Sequence, residues 1–376
     1  MRIGVDGRKI PEAAKRGPVA SFDHAHEMGM EGLFFRTVLD MSPTLDAGFL
    51  REIRQRADEL GMYLETGLGK VNPYATPEAP ELRLIGDGDI VLGFRRMMEA
   101  CAAIDCRELW VATANYKPAY TGRFAYDRFR TDVEWNEQLA ATVRFLKKLA
   151  PIARDLGIHM NLETHEEITS FELVRIVEQV GADTTGIVFD TANVLQRAEH
   201  PVWAARRVAP YVRQTHIKDA LIAHDGEVLN FQMRPCGGGV VDFRALLPIL
   251  AEANPALNLS IENYESFADR PRNPPRMIIE IADPSWLEGH PDLSAEELAA
   301  YMQMVDAYAA RIESGEIMDY QSFASWAVDN YHYAETVKYI KDSAAHIRGI
   351  CEELGLPLNS TSERWLPEPE LNSNAN

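Results

Sequence analysis

Four short stretches between residues 161 and 264 carry residues that bind cations. They read Asn161-Leu162-Glu163-Thr164-His165-Glu166, Val188-Phe189-Asp190-Thr191-Ala192-Asn193, Gln214-Thr215-His216-Ile217-Lys218-Asp219 and Ser260-Ile261-Glu262-Asn263-Tyr264. Apolar residues occupy one phase of the alternation: Met160 and Leu162, Ile187 and Phe189, Leu259 and Ile261. Side chains alternate across an extended strand, so the opposite phase carries Glu163, Asp190, His216 and Glu262 to one side. Three converging carboxylates repel one another unless a cation neutralises them. With one imidazole they offer three oxygens and one nitrogen, a set suited to one divalent ion, Mn²⁺, Mg²⁺ or Co²⁺; Zn²⁺ also accepts such ligands. Single acidic residues in loops are commonplace, and the signal lies in three of them and a histidine, all in phase.

The elements that must position these residues alternate from end to end. Eight strands are expected: Ile3–Asp6, Leu33–Phe35, Tyr63–Thr66, Glu108–Val111, Ile158–Leu162, Gly186–Phe189, Val212–Ile217 and Asn258–Ile261. Between them run helical stripes. These include Leu139, Val143, Leu146 and Ala150; Leu173, Ile176, Val177 and Val180; and Phe243, Leu246, Leu247 and Leu250. A last stripe runs from Val337 through Ile340, Ala344, Ile347 and Cys351 to Leu354. Gly61, Gly157 and Gly181 stand where helices should stop. Eight such units imply an α/β fold, a closed (β/α)8 TIM barrel. An open doubly wound sheet would usually place a G-x-G-x-x-G turn after the first strand, and Gly4-Val5-Asp6-Gly7-Arg8 is not one.

Two stretches break the alternation. Residues 71–90, with Pro73, Pro77, Pro80 and Gly86, are expected to form a loop. Residues 266–334 are expected to be a long insertion after strand eight, within a single barrel spanning 1–357 and followed by a tail at 358–376. The insertion opens on Arg270-Pro271-Arg272-Asn273-Pro274-Pro275-Arg276 and holds a helix start at Ser294-Ala295-Glu296-Glu297. It closes on Tyr320, Phe323, Trp326, Tyr331 and Tyr333. A lid or docking platform and a satellite core are both open readings of it. The tail after Pro367 reads as disordered.

Composition narrows the partners. Lys+Arg 38 against Asp+Glu 57 leaves a net charge of −19 over 376 residues, which repels phosphate backbones and argues against nucleic acid. The four cysteines, Cys101, Cys106, Cys236 and Cys351, fit no metal or redox spacing and read as buried free thiols. Cys101 and Cys106 fall in one helical pattern. No signal-peptide core and no run of 18 apolar residues occurs, so no membrane association and a cytoplasmic location are expected.

The ligand set is where a resemblance enters. With His216-Ile217-Lys218-Asp219 as an H-x-K-D motif and the glycine-rich turn Gly237-Gly238-Gly239-Val240-Val241-Asp242-Phe243, the chain resembles the xylose isomerase-like TIM-barrel family of sugar isomerases and epimerases. The resemblance covers nearly all of the chain except the late insertion. It implies a divalent ion, Mn²⁺ first, held by Glu163, Asp190, His216 and Glu262, with Glu163 and Glu262 as the proton-transferring carboxylates of an epimerase. Bound so, the ion would stabilise the enolate formed when a proton leaves the carbon beside a sugar ketone.

Ketose epimerases of the family usually carry a substrate-holding His where this chain has Asn193. His165 lies two residues after Glu163, and a neutral imidazole there would serve as a base near pH 7; a role in orienting a ligand carboxylate is the other reading. Glu163-Thr164-His165, Asn193 and the insertion are together most similar to the large subunit of bacterial C-glycoside deglycosidases. That likeness implies cleavage of the carbon–carbon glycosidic bond of 3-oxo-C-glycosides, by proton abstraction next to the ketone and β-elimination of the aglycone. It also implies a small β-sandwich partner subunit in a hetero-oligomer. Asn193, Lys218, Trp110 and Tyr116, with Tyr120, are the expected substrate contacts. A sugar or sugar-phosphate epimerase or isomerase is the alternative, then a non-catalytic metal- or sugar-binding member. An endonuclease relative ranks last, because it would need more histidine ligands and a less acidic surface.

Overall fold

The structure, a computed structural model, describes residues 1–264 and 277–358. Strands β1 (Arg2–Asp6), β2 (Gly32–Phe34), β3 (Tyr63–Lys70), β4 (Glu108–Ala112), β5 (His159–Glu163), β6 (Thr185–Asp190) and β7 (Val212–Ile217) come first. Then follow β8 (Asp219–Asp225), β9 (Val228–Arg234), β10 (Asn258–Ile261) and β11 (Met277–Ile279). Eight of these close into a parallel barrel in the order β1–β10–β7–β6–β5–β4–β3–β2, which is the TIM barrel that the alternation implies. β10 is its eighth stave, registered Val5↔Ile261 on one side and Ser260↔His216 on the other.

The outward phase of the strands makes the core. Ile3, Val5, Leu109, Val111, Met160, Leu162, Ile187, Phe189, Leu259 and Ile261 are all fully buried. They are covered by helices that include Trp135–Leu156, Ser170–Val180 and Phe243–Ala253. Each such side chain contributes roughly 1.5–3 kcal/mol on burial, so this shell rather than the interior holds the barrel together. The interior is polar: Asn161 Nδ2 donates to Gln214 Oε1 and to Glu108 Oε2, both at 3.1 Å. Tyr63 fits across the barrel to Ser260 Oγ at 2.9 Å because Gly4 and Gly32 lack side chains; a Cβ on Gly32 would lie inside the Tyr63 ring.

Several expectations are corrected. The reading above places no strand between β7 and the glycine-rich turn, yet β8 and β9 form an antiparallel hairpin with β11 along its edge. The signal was present: Gly226-Glu227 between apolar runs makes a two-residue hairpin loop with glycine first, and Gly226 takes φ 64° there. Residues 71–90 are not all loop, since Pro80–Ile85 is helical with Pro80 in its first turn, where the missing N–H costs nothing. Cys106 lies beyond the Ile90–Ala103 helix, its thiol facing the Leu64 carbonyl at 3.4 Å. All four cysteines are buried and none forms a disulfide.

Past β10 the described chain supplies β11 and helices Pro284–Glu288, Ala295–Glu313 and Tyr320–Asn330 before the last helix, Tyr333–Leu354. Ser294 caps the second of these through the Glu297 amide at 3.1 Å. Phe323, Tyr331, Tyr264 and Tyr339 pack into a small apolar cluster of their own. The Arg/Pro-rich run 270–276 and the tail after Pro367 lie outside the described residues. Among the described residues no helix is long and apolar enough to cross a membrane.

Candidate metal centre

Closure of the barrel brings the four inward residues to one point. Glu163 and Asp190 end β5 and β6, His216 is the last inward residue of β7, and Glu262 directly follows β10. One ligand atom from each lies within 4.8 Å of the others. His216 Nδ1 is the centre of the group, 2.9 Å from Glu163 Oε1, 3.5 Å from Glu262 Oε2 and 4.0 Å from Asp190 Oδ2. Asp190, Glu163 and His216 are buried, and Glu262 is partly open.

So much buried negative charge has to be balanced. Lys218 Nζ lies 2.8 Å from Asp190 Oδ2 and 2.9 Å from Glu262 Oε2, and Lys9 Nζ pairs with Glu262 Oε1. Burial pushes the Asp190 carboxyl up to about 6 against the pull of Lys218. Burial would also raise Glu163, but His216 and His165 outweigh it and bring that carboxyl down to about 2. For His216 burial works downward, and the carboxylates of Glu163, Glu262 and Asp190 raise it above the ordinary histidine value. The donor set fits a divalent ion: hard carboxylate oxygens and one imidazole nitrogen converge within 4.8 Å of one another. A dication held by Glu163, Asp190, His216 and Glu262 would take the place of the imidazole proton as counter-charge.

The surroundings fix the ligands. Trp110 Nε1 donates to Glu163 Oε2 at 2.7 Å, so this side chain braces that carboxylate from inside the barrel. Asn193 reaches Glu163 Oε1 through Nδ2 at 3.4 Å, and its amide donates to Asp190 Oδ1 at 2.9 Å. The Phe34 ring lies 4.5 Å from the His216 ring and joins Trp110, Ala112 and Val188 in an apolar floor. Asp219, the last residue of H-x-K-D, accepts the amides of Ala220, Gly237 and Gly239 at 2.9 Å and of Val241 at 3.0 Å. It therefore ties the glycine-rich turn to the end of β7. Tyr116 is half-buried, edge-on to Tyr126 with ring centroids 5.7 Å apart, and Tyr120 is exposed.

His165 stands beside the cluster, its Nε2 3.9 Å from Glu163 Oε2, while Nδ1 meets Glu167 Oε2 at 2.8 Å. Burial works to lower the imidazole, but Glu166, Glu167 and Glu163 hold it well above its ordinary value. The sequence reading missed Lys9, Phe34 and Glu167. The alternation of Leu33-Phe34-Phe35 would have turned Phe34 inward; Lys9 and Glu167 sit off the strands and carry no such signal.

Comparison with known proteins agrees with this architecture. Residues 22–290 match the family described as xylose isomerase-like TIM barrel. A stretch of 94 residues is 37% identical to the uncharacterized protein YihM of Escherichia coli, covering 25% of this chain and 29% of that one. Over 220 residues the chain is 24% identical to a 3-oxo-isoapionate decarboxylase of Pectobacterium atrosepticum, covering 57% of this chain and 66% of that one. The chain thus spans less than two thirds of the length of these curated relatives. In fold it is similar to the apo 3-keto-D-glucoside 4-epimerase YcjR of E. coli, with TM-score 0.52 at 17% identity over 81% of this chain and 99% of that one. The chain belongs to the xylose isomerase-like TIM-barrel family.

Proposed function

We propose that this protein is a divalent-metal-dependent carbon–carbon lyase that removes a proton beside the ketone of a 3-oxo-C-glycoside and expels the aglycone from the adjacent carbon. The observation that carries the reading is the 3.9 Å between His165 Nε2 and Glu163 Oε2 on one side of the cluster. A proton acceptor and a donor at that spacing suit two neighbouring carbons on one face of a ring, the arrangement of a syn elimination through an enolate. A bound dication, Mn²⁺ in this reading, would act as a Lewis acid on the substrate ketone.

Glu163 takes the proton from C2, and that bonding pair becomes the C1=C2 double bond. The pair of the C1–aglycone bond leaves with the aglycone carbon, which takes the proton from His165. The products are an unsaturated keto sugar and the protonated aglycone. Proton transfer from Glu163 to His165 restores the starting state. Asn193, Lys218 and Tyr116 would contact the sugar. A small β-sandwich partner belongs to the same reading. Support also comes from the 3-oxo group named in the Pectobacterium relative, which is the ketone this chemistry requires.

A second reading, epimerase or isomerase, is favoured by Glu262, a second carboxylate 3.5 Å from His216 Nδ1 across from Glu163. Incubation with Mn²⁺ and a 3-oxo-C-glucoside, with and without a co-encoded small subunit, separates the two. Aglycone release is expected. A stereoisomer without release would favour the epimerase, and turnover of neither kind would leave a binding protein.

A further inference from the structure

The loop after β5 encloses a carboxylate that the proposed reaction does not use. Glu167 is 0% exposed. Its Oε1 accepts the hydroxyl of Thr113, the residue directly after β4, and its Oε2 faces His165 Nδ1 at 2.8 Å. Its backbone carbonyl accepts from Arg128 at 3.2 Å. Arg128 is buried in turn and grips both oxygens of Glu172 at 3.0 and 2.8 Å, and Glu172 forms a capping box with Thr169 at the start of the Ser170–Val180 helix. The carboxylate thus stands on a frame made from the end of β4, the β4 loop and a capped helix.

We infer that Glu167 is a positioning residue for His165. By engaging Nδ1 it fixes the ring so that Nε2 is the atom presented to the cluster. The neighbouring glutamate supplies a built-in contrast. Glu166 Oε2 lies 3.0 Å from the same Nδ1 but is less well aligned with its N–H, and its side chain is 14% exposed against 1% for Glu167. Proximity alone would let either glutamate hold the imidazole. Direction and enclosure select Glu167, and a fully buried carboxylate with no such task would only cost stability. The inference rests on the role given to His165 in the proposed reaction, but the ring's orientation is measurable without turnover.

The test is proton and ¹⁵N NMR of the full chain, metal-free and Mg²⁺-loaded, following the low-field Nδ1 proton identified by its loss in His165→Gln. The signal is expected in the native protein and in Glu166→Met, and absent in Glu167→Met. Persistence in Glu167→Met, or loss in Glu166→Met instead, overturns the inference. If Glu167→Met does not fold, Glu167→Gln keeps an acceptor without its charge, and the signal must then move upfield; an unmoved signal overturns it equally. With a 3-oxo-C-glucoside, kcat of Glu167→Met should fall about 10- to 100-fold while KM and bound Mn²⁺ hold steady. An unchanged kcat with the signal lost would also refute it. If the native protein does not turn over that substrate, the reaction reading fails, and the NMR comparison still decides the placement of the ring.

Discussion

Binding of a divalent ion should expel protons, and the amount follows from the two groups that a cation must strip. Asp190 is pushed up to about 6 by burial, and His216 is held above its ordinary 6.5 by three carboxylates. At pH 6.5 the metal-free site then carries about a quarter of a proton on Asp190 and more than about half on His216, so about 0.75 proton or more leaves on binding. The sign is set by both groups having to deprotonate: affinity rises with pH and falls as pH drops through their titration. Between pH 6.5 and 5.5 the loss should be about 15-fold or more, roughly threefold from Asp190 and at least fivefold from His216. Calorimetric titration with Mn²⁺ at pH 6.5, in two buffers of different ionisation heat, gives the proton count directly. A repeat at pH 5.5 gives the slope. Release below about 0.3 proton with binding intact, or an affinity flat between these pH values, would refute the claim that His216 Nδ1 and Asp190 Oδ2 share one cation.

Other outcomes follow from single contacts. Trp110→Phe leaves Glu163 Oε2 without its 2.7 Å donor; Mn²⁺ binding by titration should weaken about 10- to 100-fold, and an unchanged affinity would show that Trp110 does not hold this ligand. Glu262→Gln removes one of the three carboxylates of the cluster; bound Mn²⁺ by elemental analysis should be lost together with activity, whereas full metal content would remove Glu262 from the ligand set. Asp219→Ala orphans four backbone amides; urea unfolding should show a loss of at least ~3 kcal/mol, and Gly237 and Gly239 amides should exchange faster. Gly32→Ala forces a methyl into the Tyr63 ring, so stability should fall by about 1–3 kcal/mol or more, and a neutral result would mean that Tyr63 has room to move.

Most of the barrel was legible because its signals are local. Alternation of period two named the eight staves, and the same alternation put Glu163, Asp190, His216 and Glu262 in one phase. The stripe from Phe243 to Leu250 and the Ser294 cap likewise depend on neighbours a few residues apart. The β8–β9 hairpin was legible too, in Gly226-Glu227 between two apolar runs. His165 shows the limit: its place after Glu163 could be read, but its protonation could not, since that depends on Glu166, Glu167 and Glu163 packed around a buried ring.

What the chain determined by itself is the kind of chemistry, because alternation decides which face a side chain takes before any long-range contact forms. What only the tertiary structure decided is who meets whom. Lys9 follows β1 and pairs with Glu262, 253 residues away, because barrel closure hydrogen-bonds β1 to β10. Trp110 braces Glu163, since β4 and β5 lie side by side with Trp110↔Asn161 in register. Glu167 lies in a loop with no periodicity to read, and acquires its partners only where Thr113, Arg128 and His165 converge. Facing is a property of neighbouring residues along a strand, whereas adjacency is a property of the closed sheet.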